Sequence, residues 1–463
     1  MSPKKKKIAI IGGGITGLTL AYRLTQQKKF DIQLYERSQF TGGLIQTEIK
    51  GDFIFEKGPD GFLQLNPSVV NLAKELGIDD QIITTQEQNR KSMILHNNKL
   101  EEIPDGFYLM SPTKVVSFLQ SPLISLTGKI RTLLEPLIPK KSADSDDESL
   151  ASFVRRRFGK ENLDNITQAL LGGIYTADPE LLSMKAALPR FLEIEQTEGS
   201  VLLGLRKQLQ NTKTSGARYG LFGSFRNGMS TLTQALTSKL DSQDIHTRTS
   251  VSQMEYDAEE KQWRLTFEDE SVQEFDMVCL ATAPHHIVSI FPGLTPTLKK
   301  LFESIPYAST GILNLAFRKE QIKNLPSAMG FIVPQKEQKH FIACSFMSQK
   351  YANRTPKDHI LIRAFIGGSL QELVLNTFKG DLVRTVIDEL RTILGIEGEP
   401  TEHDFTVWRQ VMPQYTVGHT ERVAQIEREI SQYPNLYLAG NAYRGVGIPD
   451  LIDHATQLSQ KIV

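Results

Sequence analysis

The sequence predicts an α/β fold in which a parallel sheet, assembled from both ends of the chain, is interrupted by a mixed-sheet part and a helical part. Three observations carry this expectation. Residues 7–36 read as strand, glycine-rich turn, amphipathic helix and second strand. Residues 435–441 supply another buried strand that opens on glycine. Between them, strand-like alternation at 307–365 and a proline-punctuated helical stretch at 111–157 follow different periods.

In the first of these stretches the apolar run 8–11 breaks into Gly12, Gly13, Gly14, Ile15, Thr16 and Gly17. Gly12 permits the tight turn, Gly14 lets backbone N–H groups approach a pyrophosphate at the positive end of the helix, and Gly17 allows close helix–strand packing. Glu36, with Arg37 beside it, stands about twenty residues further on, where an acid accepts from a ribose hydroxyl. Strand, glycines, helix, strand and acid at this spacing define a Rossmann-type dinucleotide-binding unit. Just beyond lie Gly42, Gly43 and Leu44. Backbone without side chains can rest against a flavin or its diphosphate, so this pair sharpens the expected ligand from a generic dinucleotide to FAD.

A chain of 463 residues exceeds what one core usually fills, so two or three domains are expected. The 53 basic and 53 acidic side chains cancel, which argues against a nucleic-acid partner. Only two cysteines are present, Cys279 and Cys344, each in an apolar setting, and they read as buried thiols rather than a disulfide frame. The basic start followed by a short, glycine-interrupted apolar run makes a poor signal peptide. No apolar run reaches about eighteen residues, so no spanning helix is expected and the default location is cytoplasmic.

A hairpin is expected at 45–48 and 53–56, followed by the turn Gly58, Pro59, Asp60 and Gly61, and then a short helix at 67–77. Two short strands fall in 92–104. Residues 111–157 are helical, with Lys114, Lys129, Arg131, Lys140 and Lys141 beside apolar faces. Such helices suit either a membrane surface or the domain's own core. An acidic linker at 144–148 precedes a helix capped by Ser149 or Ser152. Residues 170–179 read as a glycine-bearing turn between helices, and 215–229 lead into a helix at 230–240. Strands are expected at 245–254, 262–267 and 274–281. Further strands at 312–317, 330–333, 340–345 and 360–365 suit a mixed or antiparallel sheet, followed by a helix at about 380–394, a strand at 405–409 and a final helix to Val463.

Little else looks catalytic. There is no His/Cys cluster at metal-ligand spacing and no nucleophile elbow. His285 and His286, read as part of a strand, would point to opposite faces and share no metal. His419 and His454 read as structural. The electron chemistry therefore belongs to the cofactor.

With these motifs assembled, the chain resembles the flavin-dependent protoporphyrinogen/coproporphyrinogen oxidases, within a superfamily shared with amine oxidases and phytoene desaturases. The stretches that carry the resemblance are 56–62, Gly173-Ile174-Tyr175 with Asp178, Trp408 with Met412-Pro413-Gln414-Tyr415, and 445–450. The resemblance implies one non-covalent FAD. It would be held by Gly12, Gly13, Gly14, Ile15, Thr16, Gly17, Glu36 and Arg37, by Gly42, Gly43 and Leu44, and by Gly58, Pro59, Asp60 and Gly61. Val251, Trp408, Gly440, Asn441, Val446, Gly447 and Ile448 would complete the site, and Gly173, Ile174 and Tyr175 would border the substrate. The chain departs from relatives at Phe40 and Leu44, which flank the glycine pair where basic residues are common. It departs again at Ala177, a glycine in many relatives, and at Asn441, an acid in distant flavoenzymes.

The implied organisation is a Rossmann-type FAD-binding domain from 1–85, 220–290 and 405–463, a substrate domain from 86–110 and 291–404, and a helical domain at 111–219. The implied reaction is the six-electron, O2-dependent oxidation of coproporphyrinogen III to coproporphyrin III in haem biosynthesis, yielding H2O2, with protoporphyrinogen IX as a second substrate. Short loops and the lack of a targeting segment point to the soluble Gram-positive type. Peripheral membrane contact through 111–157 and handover to a ferrochelatase are open partner expectations, and oligomeric state is not legible. An amine oxidase or desaturase, or a non-catalytic FAD-fold binding protein, are the competing readings.

Overall fold

The computed structural model describes residues 5–142, 146–211, 222–376 and 379–462. Asp144 and Ser145 of the acidic linker, residues 215–221 and Val463 lie outside them. A five-stranded parallel sheet runs in the order Ile245–Thr247, Phe30–Glu36, Lys6–Ile11, Met277–Leu280, Leu436–Leu438. Its central strand is covered on both faces, which is why it reads as an apolar run rather than an alternation. Ile8 and Ile10 share a buried cluster with Leu18, Leu24 and Ile452 of helices Ile15–Gln27 and Ile448–Lys461. Ala9 and Ile11 belong instead with Met254, Trp263 and Leu265 of a three-stranded antiparallel sheet, Val251–Asp257, Gln262–Phe267 and Val272–Phe275.

Several expected elements are redrawn. The strand at 245–254 is two, because Arg248 turns the chain with φ +54° between Ile245–Thr247 and Val251–Asp257. The strand at 274–281 divides at Asp276 into an antiparallel piece and the parallel Met277–Leu280. His285 and His286 lie in the first turn of helix Pro284–Ile290, not in a strand, and their rings are 4.3 Å apart. The expected turn at 170–179 is largely helix: Gln168–Tyr175 runs through Gly172 and Gly173 and ends where Thr176 takes φ +50°. Burial of Ala169 and Leu171 outweighs the helix cost of two glycines, about 1 kcal/mol each.

The second body is a seven-stranded sheet in the order Glu402–Pro413, Tyr307–Arg318, His359–Gly367, Ala343–Phe346, Gly330–Ile332, Met93–His96, Lys99–Glu102. All pairs are antiparallel except Gly330–Ile332 with Met93–His96. Residues 405–413, assigned from sequence to the nucleotide-binding part, form an edge strand of this sheet instead. Leu313, Leu315 and Phe317 face helix Lys379–Leu394, while Ala316 and Leu361 face Phe55 and Tyr351 on the other side.

In the helical part, Pro122 lies between the short helices Val115–Gln120 and Leu126–Leu133. Ser149 rather than Ser152 caps Leu150–Arg157, accepting from the Ser152 N–H at 3.2 Å. Arg157 is fully buried, ion-paired with Glu135 and Glu195, and donates to the Ile138 and Gly199 carbonyls. One guanidinium thus pins three segments together.

Candidate active site

At the end of Lys6–Ile11, Gly12 takes φ +111° and its N–H donates to the Tyr35 carbonyl at 2.8 Å. A Cβ there would lie 2.5 Å from the Ala281 oxygen, and one on Gly17 only 1.9 Å from the Gly12 oxygen. Packing alone demands both glycines. Gly14 differs: its φ is −71°, and a Cβ would meet nothing nearer than Gly43 Cα at 3.9 Å. No side chain caps the helix it starts, and Ile15 and Thr16 are buried, so the helix end offers backbone N–H groups to the space beside Gly14. A diphosphate is the group that such an end accepts.

Glu36 bridges the loops, its two carboxylate oxygens accepting from the N–H groups of Gly13 and Ser38, each at 2.8 Å. Gly42 donates to the Gly13 carbonyl at 2.7 Å, and a Cβ on Gly43 would stand 3.1 Å from Gly14 Cα. A Cβ on Gly58 would fall 1.6 Å from the Leu44 oxygen, and one on Gly61 2.4 Å from the Tyr351 hydroxyl. The turns holding 12–17, 42–44 and 58–61, with Pro59 and Asp60 in the last, are stacked backbone on backbone.

The late-sequence residues close the other side. Ala439 donates to the Leu280 carbonyl, extending the sheet edge into Gly440, which takes φ +120° with open space around it. The Asn441 carbonyl accepts from the Tyr415 hydroxyl at 2.7 Å, and its amide donates to the Val411 carbonyl at 3.2 Å. Gly447 donates to Asp450 at the head of Ile448–Lys461, and Val446 packs at the edge of the helical core. The Trp408 indole N–H donates to the Lys57 carbonyl at 2.6 Å. Val251 is buried two residues after Thr249, whose N–H donates to the Glu36 carbonyl. Arg37 lies near His285 and His286; burial, then Arg37 and His285, hold His286 at about 4. The uncapped helix end, the bridging acid and the open glycine at Gly440 fit a flavin dinucleotide.

Beneath the 58–61 turn is a buried charge cluster that sequence reasoning did not find. Asp60 pairs with Lys350 at 2.9 Å and with Arg363 at 3.2 Å, while Arg363 also donates to the Gly58 carbonyl. Burial would raise the Asp60 carboxyl, but Lys350 and Arg363 outweigh it and hold it at about 2. Glu56 pairs with Arg354, which also donates to Ser224 at 2.6 Å and to the Phe225 carbonyl at 3.0 Å. A usable signal was present: Arg363 sits mid-strand in the otherwise apolar Ile360-Leu361-Ile362-Arg363-Ala364-Phe365.

Of the substrate-side residues, Gly173 lines a narrow slot with Gly172, Thr176, Val333, Ile342, Gly367 and Gly368. Tyr175 is turned elsewhere, its hydroxyl donating to the Ala187 carbonyl at 2.8 Å. The Ile174 side chain lies outside the described ones.

A family model described as flavin containing amine oxidoreductase matches residues 15–463. The chain belongs to that family. It is therefore a flavin-dependent oxidoreductase. Coproporphyrinogen III oxidase of Bacillus subtilis (strain 168) is 31% identical, covering 98% of this chain and 97% of that protein. The Staphylococcus aureus protein of the same name is also 31% identical, with 99% of each covered. Protoporphyrinogen oxidase 2 of Arabidopsis thaliana is 27% identical over 96% of this chain and 91% of its own. A crystal structure from Exiguobacterium sp. 255-15, provisionally assigned as a protoporphyrinogen oxidase, superposes with TM-score 0.89 at 27% identity and 99% coverage of both chains. Reduced UDP-galactopyranose mutase, at TM-score 0.73 and 16% identity over 99% of this chain and 95% of its own, shares the fold alone.

Proposed function

We propose that this chain oxidises coproporphyrinogen III to coproporphyrin III in haem biosynthesis, with protoporphyrinogen IX as a second substrate, using one non-covalently bound FAD and O2. The observation that carries the reading is the 31% identity, over nearly the full length of both chains, to two proteins named coproporphyrinogen III oxidase. Gly12 to Gly17, Glu36, Gly42 to Leu44 and Gly440 to Ile448 would hold the cofactor. Cys279 and Cys344 are buried, and burial raises both thiols, which favours non-covalent attachment.

When bound, the flavin supplies hydride acceptance in three two-electron rounds, so that one porphyrinogen and three O2 give one porphyrin and three H2O2. The chain's own part is to orient and enclose. The charge cluster fixes the 58–61 turn, and Gly172, Gly173, Gly367 and Gly368 wall a narrow slot. Purified protein incubated under air with each porphyrinogen should develop porphyrin fluorescence. Oxidation of neither, at full FAD loading, would overturn the reading.

Peripheral membrane association belongs to the same proposal. Val116, Leu119, Leu126, Ile130, Leu134 and Leu137 are all solvent-exposed on consecutive short helices, beside Lys114, Lys129 and Lys140. Among the described residues, no helix is long and apolar enough to cross a membrane.

A further inference from the structure

Next to the glycine slot lies a larger open cleft of about 670 Å3, within the usual range of ligand sites. The two share Ser369 and Leu370 in their walls, so they adjoin. The cleft wall is half polar and carries cations: Lys339, Arg409 and His340 line it, against one acid, Glu372. We propose that this cleft binds the carboxylate-bearing edge of the tetrapyrrole, with Arg409 and Lys339 as the groups that recognise its carboxylates. The proposal rests on the porphyrinogen reading and names the residues that would select among its substrates.

The backbone is built to aim Arg409. On strand Glu402–Pro413, Trp408 pairs with Thr310 and Met412 with Ala308, so Arg409, Gln410 and Val411 stand opposite the single residue Ser309. This bulge is strained at Gln410, with φ +50°, and is held by the Gln410 N–H donating to the Ser309 hydroxyl at 3.1 Å. Bulges of this kind re-aim side chains beside functional sites. Arg409 donates to Asn376 Oδ1 at 3.2 Å and to the Leu375 carbonyl at 2.8 Å. Those two bonds leave other guanidinium N–H groups for an anion.

The neighbouring groups are arranged consistently. His340 is engaged by Glu389 at 2.8 Å, which leaves Arg409 and Lys339 as the cations for a ligand. Glu372 is held by the Ser309 hydroxyl at 3.0 Å. The same strand ties the cleft to the proposed cofactor turns: Trp408 donates to the Lys57 carbonyl, and the Val411 carbonyl accepts from Asn441. A tetrapyrrole seated in the cleft would thus present one edge to Arg409 and another toward the cofactor side.

The test is equilibrium binding of coproporphyrin III and of protoporphyrin IX to the FAD-loaded protein, followed by fluorescence at low and high salt. R409Q and K339Q should each weaken coproporphyrin III binding, by up to about tenfold for Arg409, and should weaken the two-carboxylate protoporphyrin less. R409K should recover much of the loss, E372Q should tighten binding, and salt should weaken the wild type more than R409Q. FAD content and visible spectrum should not change in any variant. Unchanged affinity in both R409Q and K339Q, with FAD intact, overturns the cleft assignment even if the enzyme turns over coproporphyrinogen. Binding that depends on Arg409 in a protein that oxidises neither porphyrinogen would sustain the cleft and overturn the oxidase reading.

Discussion

Gly14 and Gly17 are three residues apart in one motif, yet different things limit them. A side chain on Gly17 collides with the backbone of its own turn, whereas one on Gly14 has room and a permitted φ of −71°. Gly14→Ala should therefore fold with apo-protein stability unchanged or raised by about 0.5 kcal/mol, while its affinity for FAD falls by about tenfold or more as the methyl fills the cradle. Apo melting temperature and flavin titration separate the two effects; equal FAD affinity would show that the cradle lies elsewhere. Gly17→Ala should lose stability as well. The sequence made both glycines visible, but only contacts reveal which one leaves space.

His419 offers a second test at this scale. Its ring stacks on Tyr415 with centroids 4.0 Å apart, and burial lowers it to about 4 from 6.5. Because the folded value is depressed, the unfolded chain takes up a proton between these values that the folded chain does not. Stability is thus highest above pH 6.5 and declines as pH falls toward 4, by up to about 3 kcal/mol. Asp60, held at about 2, acts only below that window. His419→Phe should flatten the fall in urea midpoint between pH 7 and 4.5, and an unchanged slope would rule His419 out as its source.

At the scale of elements, the 58–61 turn is fixed from beneath by strand His359–Gly367 and the segment carrying Lys350 and Arg354. Arg354→Met leaves Glu56 buried and unpaired and should cost about 3–5 kcal/mol in denaturant unfolding. Adding Glu56→Gln should recover part of it, and strict additivity would mean that the pair does not interact. The strands themselves were legible because alternation and apolar runs survive in the sequence. Their breaks at Arg248 and Asp276 were not, since each depends on which sheet the next residues join. The helix through Gly172 and Gly173 was missed for a related reason: burial of Ala169 and Leu171 overrides local glycine preference.

For the whole molecule, the discontinuous parallel sheet could be foreseen from two strand-then-glycine elements far apart in sequence. The buried charges were only half visible: Arg363 stands out in an apolar strand, but its partner Asp60 meets it only through tertiary folding. The exposed apolar surface also belongs to this scale. Anionic liposomes should carry the protein in flotation, and Leu126→Ser with Ile130→Ser and Leu137→Ser should reduce the bound fraction several-fold while leaving FAD content unchanged. Equal flotation of the triple variant would remove this face as the contact.

The order in which the parallel sheet is completed also governs synthesis. Lys6–Ile11 and Phe30–Glu36 emerge early from the ribosome, but Met277–Leu280 arrives much later, and Leu436–Leu438 with helix Ile448–Lys461 later still. Until then, the apolar face of Ile15–Gln27 lacks the helix that covers it. Most of the chain is made while the cofactor cradle is open, so nascent protein should depend on chaperones and capture flavin only after Gly440 and Gly447 have been translated.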